Sequence, residues 1–201
     1  MLPLTSETHM KRVILFLAIA TLHAEEPKPS FKIVATSTNG EVIVEQHRAA
    51  EGTKQLWLVS STDPAKRHLL YTHHRRADVI FSDDDEWLAI NDHAGSGYSA
   101  VLLYRQKNGL EYERVADLTA PAWQYFNQRN DFKETPFDHA YASAACWTST
   151  DPPTLLIRLS GHLSGPAGIL KQSRGWHCLY NIRTQSFSTD LDALNQTNTK
   201  P

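Results

Sequence analysis

The sequence predicts an all-β fold. Short runs rich in Val, Ile, Leu, Tyr and Trp alternate with clusters of Gly, Asn, Asp and Pro, the pattern of strands and their turns. Helical periodicity is nearly absent. The same order of run and turn recurs along the chain, which predicts three four-stranded antiparallel meanders. An irregular β-sandwich is the alternative arrangement of the same strands.

The chain has 201 residues, 20 Lys+Arg against 22 Asp+Glu, and 41% hydrophobic residues. That length suits a single domain. A net charge of −2 gives no global attraction to nucleic acid or to anionic lipid. Met10 is read as the start of an export signal. Met10-Lys11-Arg12 is a short basic segment, Val13 to Ala20 is apolar, and Thr21-Leu22-His23-Ala24 leads into a polar stretch, the layout of a secretory leader. Cleavage is expected after Ala24, with Ala18-Ile19-Ala20 as a second option. The apolar run is too short for a membrane span, which takes about 20 residues, and no later segment approaches that length. Residues 1–24 are therefore set aside as signal, 25–192 as one domain and 193–201 as a flexible tail. The expected destination is outside the cytoplasm, periplasmic or secreted.

The first unit runs Phe31 to Thr36, turns at Asn39-Gly40, and continues through Glu41 to Glu45, Gln55 to Val59 and Arg67 to Tyr71. Asn-Gly marks a hairpin because both turn positions favour positive φ. The second unit is the clearest: Val79 to Ser82, the turn Asp83-Asp84-Asp85, Glu86 to Ile90, a loop through Gly95-Ser96-Gly97, Ser99 to Tyr104 and Tyr112 to Ala116. The third runs Ala144 to Trp147, turns at Asp151-Pro152-Pro153, and continues through Thr154 to Leu159, a loop from Gly161 to Gly168, Trp176 to Tyr180 and Phe187 to Thr189. Residues 119–141 form an insertion, with one short helix expected near Trp123 because Pro121 suits a first helical turn.

Phe81-Ser82-Asp83-Asp84-Asp85-Glu86-Trp87-Leu88-Ala89-Ile90 resembles the repeat of TolB-like and WD-repeat-like β-propellers, in which Phe-Ser-Pro-Asp-Gly precedes Leu-Ala. Asp83 stands where Pro is usual, and Asp85 where Gly is usual. The resemblance covers residues 77–118 and is weak in the other two units. It implies three propeller-like blades in a partial or open propeller, since closed propellers use four to eight, and it implies no particular activity.

No catalytic or phosphate-binding signature is present. Asp83-Asp84-Asp85 lacks the spacing of a calcium loop and is read as a solvated turn. The chain carries 10 His. His47, His93 and His162 follow the second strand of a unit, whereas His73, His74 and His139 lie between units. In a propeller those loops open on one face, so the resemblance gathers these His with Arg48, Arg75, Arg76, Asp92 and Asp138 on one rim. Imidazoles beside carboxylates suit a transition metal or an anionic ligand, although the spacing is no metal motif. Trp123, beside Tyr125 and Phe126, is the candidate for an exposed aromatic contact.

In the blade arrangement Leu155 to Leu159 separates Cys146 from Cys178. Two strand spacings are about 9.5 Å, beyond the roughly 7 Å that a disulfide spans. Two free thiols are expected, each buried as a small apolar group. The chain is thus read as an exported, non-enzymatic binding or assembly module without cofactor or metal. Its partner would be another protein or an envelope component, and oligomerisation is compatible with open sheet edges. The alternative is a hydrolase or metal-dependent enzyme using the His-rich face.

Overall fold

The computed structural model describes residues 30–130, 138–165, 168–188, 191 and 194–195. The first four strands are β1 (Phe31–Thr36), β2 (Val42–Arg48), β3 (Lys54–Ser60) and β4 (Arg67–His73). They form one antiparallel sheet in chain order. β5 (Ala77–Phe81), β6 (Trp87–Asp92), β7 (Tyr98–Asn108) and β8 (Glu111–Asp117) make a second antiparallel meander. After helix α1 (Thr119–Arg129), a third meander contains β9 (His139–Thr148), β10 (Thr154–Gly165), β11 (Gly168–Asn181) and β12 (Ser186–Ser188). A short parallel contact, Tyr98 with Ala140 and Ser99 with Tyr141, merges the second and third meanders into one open eight-stranded sheet. The fold is all-β, as the sequence predicts, with sheets of four and eight strands and neither closed.

The second meander is buried on both faces, which explains why Leu88 to Ile90 and Ala100 to Tyr104 are unbroken apolar runs. Successive residues of a strand point to opposite sides. Leu88, Ile90, Ala100, Leu102 and Tyr104 therefore pack against Val42, Val44, Leu56 and Leu58 of the first meander. Ala89, Val101 and Leu103 pack on the other side against Leu155, Ile157 and Leu159. Each fully buried aliphatic side chain contributes about 1.5–3 kcal/mol relative to exposure, so these two clusters supply most of the adhesion. The double-sided burial fixes register, since a one-residue slip would exchange the two faces.

Polar ties join the layers. The Asp85 carboxylate accepts from the backbone N–H groups of Thr38, at 2.7 Å, and Asn39, at 2.9 Å. Asp85 is 6% exposed, with φ of 59°, and Tyr112 Oη donates to its carbonyl at 2.5 Å. The expectation of a solvated Asp turn is thus corrected for Asp85: it occupies the left-handed position where glycine is usual, because its carboxylate grips the neighbouring turn. Asn91 is the equivalent tie to the third meander. Its amide donates to the Ala144 carbonyl at 2.9 Å and accepts from the Ala144 N–H at 2.7 Å, standing in for a strand. Trp147 Nε1 donates to the Ile80 carbonyl at 3.1 Å beside it.

Helix α1 buries Ala122, Trp123 and Phe126. The helix lies over β7, β9 and β10, and its rings reach on to β11 and β12, Phe126 meeting Trp176 edge-on at 5.1 Å and Tyr125 stacking on Phe187 at 5.5 Å. Trp123 is 9% exposed and belongs to the core, which removes it as an exposed contact. The expected loop from Gly161 is largely strand, because β10 and β11 stay paired out to Gly165 and Gly168. Among the described residues, no helix is long and apolar enough to cross a membrane. Asn195, placed by the sequence in the tail, bonds the Nδ2 and Oδ1 of its amide to the backbone of His177, at 2.8 and 2.7 Å, and closes part of the β11 edge.

Both cysteines are free. Leu156 of β10 faces Cys146 and Ile157 faces Cys178, so β10 separates them. Only Cys178 is buried; Cys146 is exposed. The register shifts between Leu156 and Ile157, a bulge that leaves Ala145 unpaired and turns Trp147 inward where Cys146 would otherwise point. Burial pushes the Cys178 thiol up to about 12, which suppresses the reactive thiolate. A thiol reagent at neutral pH should label Cys146 rapidly in the native protein and Cys178 only after unfolding. Joining of the two cysteines under non-reducing conditions would contradict the strand order, and equal labelling rates in the native state would contradict the burial of Cys178.

Candidate functional site

The register assembles a polar rim at one end of the strands. His47 and Arg48 end β2, Lys54 begins β3 opposite His73 at the end of β4, and Ala77 at the start of β5 faces Asp92 at the end of β6. Asp92 in turn faces Ala100 near the start of β7, and Tyr98 pairs with Ala140 beside His139. His139 faces His162. All these positions therefore lie at the same end of their meanders, opposite to the Asp85 turn.

Within the rim the side chains form separate groups. His47 Nε2 lies 2.8 Å from Glu45 Oε2, and its ring stacks on Phe31 at 5.3 Å. His93 Nε2 lies 3.1 Å from Asp78 Oδ2, while Arg76 Nε bonds the other oxygen of that carboxylate at 3.0 Å. His139 stacks on His162 with centroids 4.4 Å apart, the cross-strand contact that their register dictates. Arg48, His74 and Arg75 are exposed. The Arg75 carbonyl accepts from Lys54 Nζ. Asp138 donates its backbone N–H to the His162 carbonyl at 3.0 Å. Among the described residues no three His, Cys, Asp or Glu side chains converge as a metal would need.

His73 differs from the others. Like His139, which begins β9, it sits on a strand rather than in the expected connection between units, and it alone of the rim histidines is buried, at 2% exposed. With Tyr71, two residues earlier on the same face, it points at the second meander. The two rings are nearly parallel, 6.3 Å apart. Tyr71 Oη donates to Asp92 Oδ2 at 2.7 Å, tying the first meander to the second at the rim end as Asp85 does at the far end. Both His73 nitrogens and Asp92 Oδ1 are buried without a protein hydrogen-bond partner. Burial lowers the His73 pKa, opposed by the Asp92 charge and assisted by Lys54 and His74. Burial and Asp92 together push the Tyr71 hydroxyl well above its ordinary value, so it remains a donor.

Glu45, Asp78 and Tyr71 hold the rim histidines and Asp92, and none of the three stands out in the sequence. Alternation along their strands could have found them, since each lies two residues from His47, His73 or along the strand that Asp92 faces.

What the fold and the rim define is an all-β protein with paired, partly shielded histidines at one end. Comparison with known proteins finds no matching family model, no similar curated protein and no similar solved structure.

A histidine kept neutral by burial ties stability to pH. Its folded pKa lies below the unfolded value of 6.5, so the unfolded chain binds the proton first as pH falls. Stability should be fully present above about 6.5 and decline as pH drops below it. The denaturation midpoint measured at pH 8 and pH 5 should show this fall, and His73→Leu should show a smaller one. An equal fall in both proteins, or stabilisation on acidification, would exclude His73 as a source.

Proposed function

We propose that the chain is an exported binding or assembly module whose three meanders are propeller-like blades and whose histidine rim meets the partner. The observation that carries this reading is the way the rim side chains are engaged. His47 and His93 are each matched to a carboxylate on their own sheet, and His139 is matched to His162. An enzyme instead brings acid, base and electrophile together around one reacting atom. Separate charged and aromatic groups spread along an edge suit recognition of a surface. The chain-order meanders support the blade reading, and the far-end turn that holds Asp85 carries the propeller-like motif. The partner would be another protein or an envelope component displaying polar groups.

A photo-crosslinking residue at position 93 tests this in cells that export the chain. Adducts are expected from position 93 and not from Glu86, which lies at the opposite end. Divalent-metal-dependent hydrolysis of an ester or phosphoester substrate, lost in His162→Ala, would contradict the reading in favour of an enzyme.

A further inference from the structure

The outward face of the third meander carries a cationic cluster that the rim does not absorb. Register pairs Arg158 with His177, Ser160 with Arg174 and His162 with Gln172, and paired residues on antiparallel strands share a face. The register shifts between Leu159, opposite Trp176, and Ser160, opposite Arg174, with Gly175 at the step. That bulge brings Arg174 and His177 to the same side although they are three residues apart. Tyr141, which faces Ser160 from β9, completes the border of a cavity of about 280 Å³ lined by Arg158, Arg174, His162, Gln172 and neighbouring small residues. Among the described residues no carboxylate lines it.

The two guanidinium groups are placed rather than loose. A Cβ at Gly175 would lie 2.6 Å from Arg158 Nε and 3.0 Å from its Nη2. The absence of a side chain there, with φ of +108°, lets Arg158 lie flat against the strand. Arg174 Nε donates to Gln172 Oε1 at 2.9 Å, which orients the fork and leaves its Nη groups for another acceptor. Among the described residues neither Arg158 nor Arg174 has a carboxylate partner. Burial, and then the Arg158 charge, lower the pKa of His177, so the charge of this face comes from the two guanidinium groups.

Two like charges held on one face without a counter-charge suit an incoming dianion, and a guanidinium fork matches the oxygens of a phosphate. The volume sits near the lower end of small-molecule sites, about 300–1,000 Å³, which fits an oxyanion on a small organic body. We propose that the β10–β11 face between Arg158, Arg174 and His162 is a binding site for a small phosphate monoester. The site deepens the binding-module reading and rests on it, because His162 belongs to both the cavity and the rim.

Titration of the full chain with glycerol 3-phosphate at low salt, followed by calorimetry and by amide NMR, tests the site. Saturable binding is expected, with shifts at Ser160, His162 and His177, and no response to glycerol. Arg158→Gln and Arg174→Gln should each weaken binding about tenfold or more, the usual scale for a lost charge-assisted hydrogen bond. Gly175→Ala should weaken it too, by displacing Arg158. Arg174 is exposed, so Arg174→Gln should leave the melting temperature unchanged and separate lost binding from lost fold. Absence of saturation, wild-type affinity in Arg174→Gln, or equal affinity for methyl sulfate would overturn the assignment. Intact crosslinking at position 93 without phosphate binding would overturn this site alone. Phosphate binding without rim crosslinks would support the site and remove the rim as the partner surface.

Discussion

Among the described residues the first meander shares no strand-to-strand pairing with the others, so its position depends on the Asp85 carboxylate, the Tyr71–Asp92 bond and the apolar layer beneath it. Asp85 is buried, and its carboxylate accepts two backbone N–H groups. A buried carboxylate is tolerated only when such donors replace its hydration. Leaving those donors unpaired would cost about 1–3 kcal/mol each. Apolar burial between the first two meanders is not directional, and would allow the layers to slide. The two short bonds to Thr38 and Asn39 at one end, and the Tyr71–Asp92 bond at the other, select one alignment. That alignment is what puts His47, His73, Asp92 and His93 at a common end.

The strand order was legible because each local rule agrees with the others. Asn39-Gly40 turns the chain between β1 and β2, with positive φ at Gly40, 75°, though not at Asn39, the apolar runs of β6 and β7 reflect burial on two faces, and Pro121 lies in the first turn of α1. Positions that depended on partners distant in sequence were not legible. Asp85 read as a surface turn because nothing local reveals Thr38 and Asn39 above it. Cys146 read as buried because the period-two rule fails at the bulge after Ala144, and a bulge leaves no reliable mark in the sequence. The grouping of histidines at one end followed from the repeat, whereas the burial of His73 follows from a face that only the packed layers define.

The molecule uses its two strand ends differently. The Asp85 end is a seam: the Asp85 carboxylate and carbonyl, the turn N–H groups and the Tyr112 hydroxyl satisfy one another. The rim end carries imidazoles and guanidiniums, several exposed, beside the cationic face of β10 and β11.

Residue-resolved native-state hydrogen exchange in the wild type and in Asp85→Gly measures the seam directly. Glycine accepts the positive φ, so the variant removes the carboxylate without adding backbone strain. Amides of β2 and β3 should lose protection in the variant while those of β10 and β11 keep theirs, because the first meander opens from the second without disturbing the third. Unchanged protection in β2 and β3 would contradict the account, and the apolar layer with the Tyr71–Asp92 bond would then hold the first meander in place.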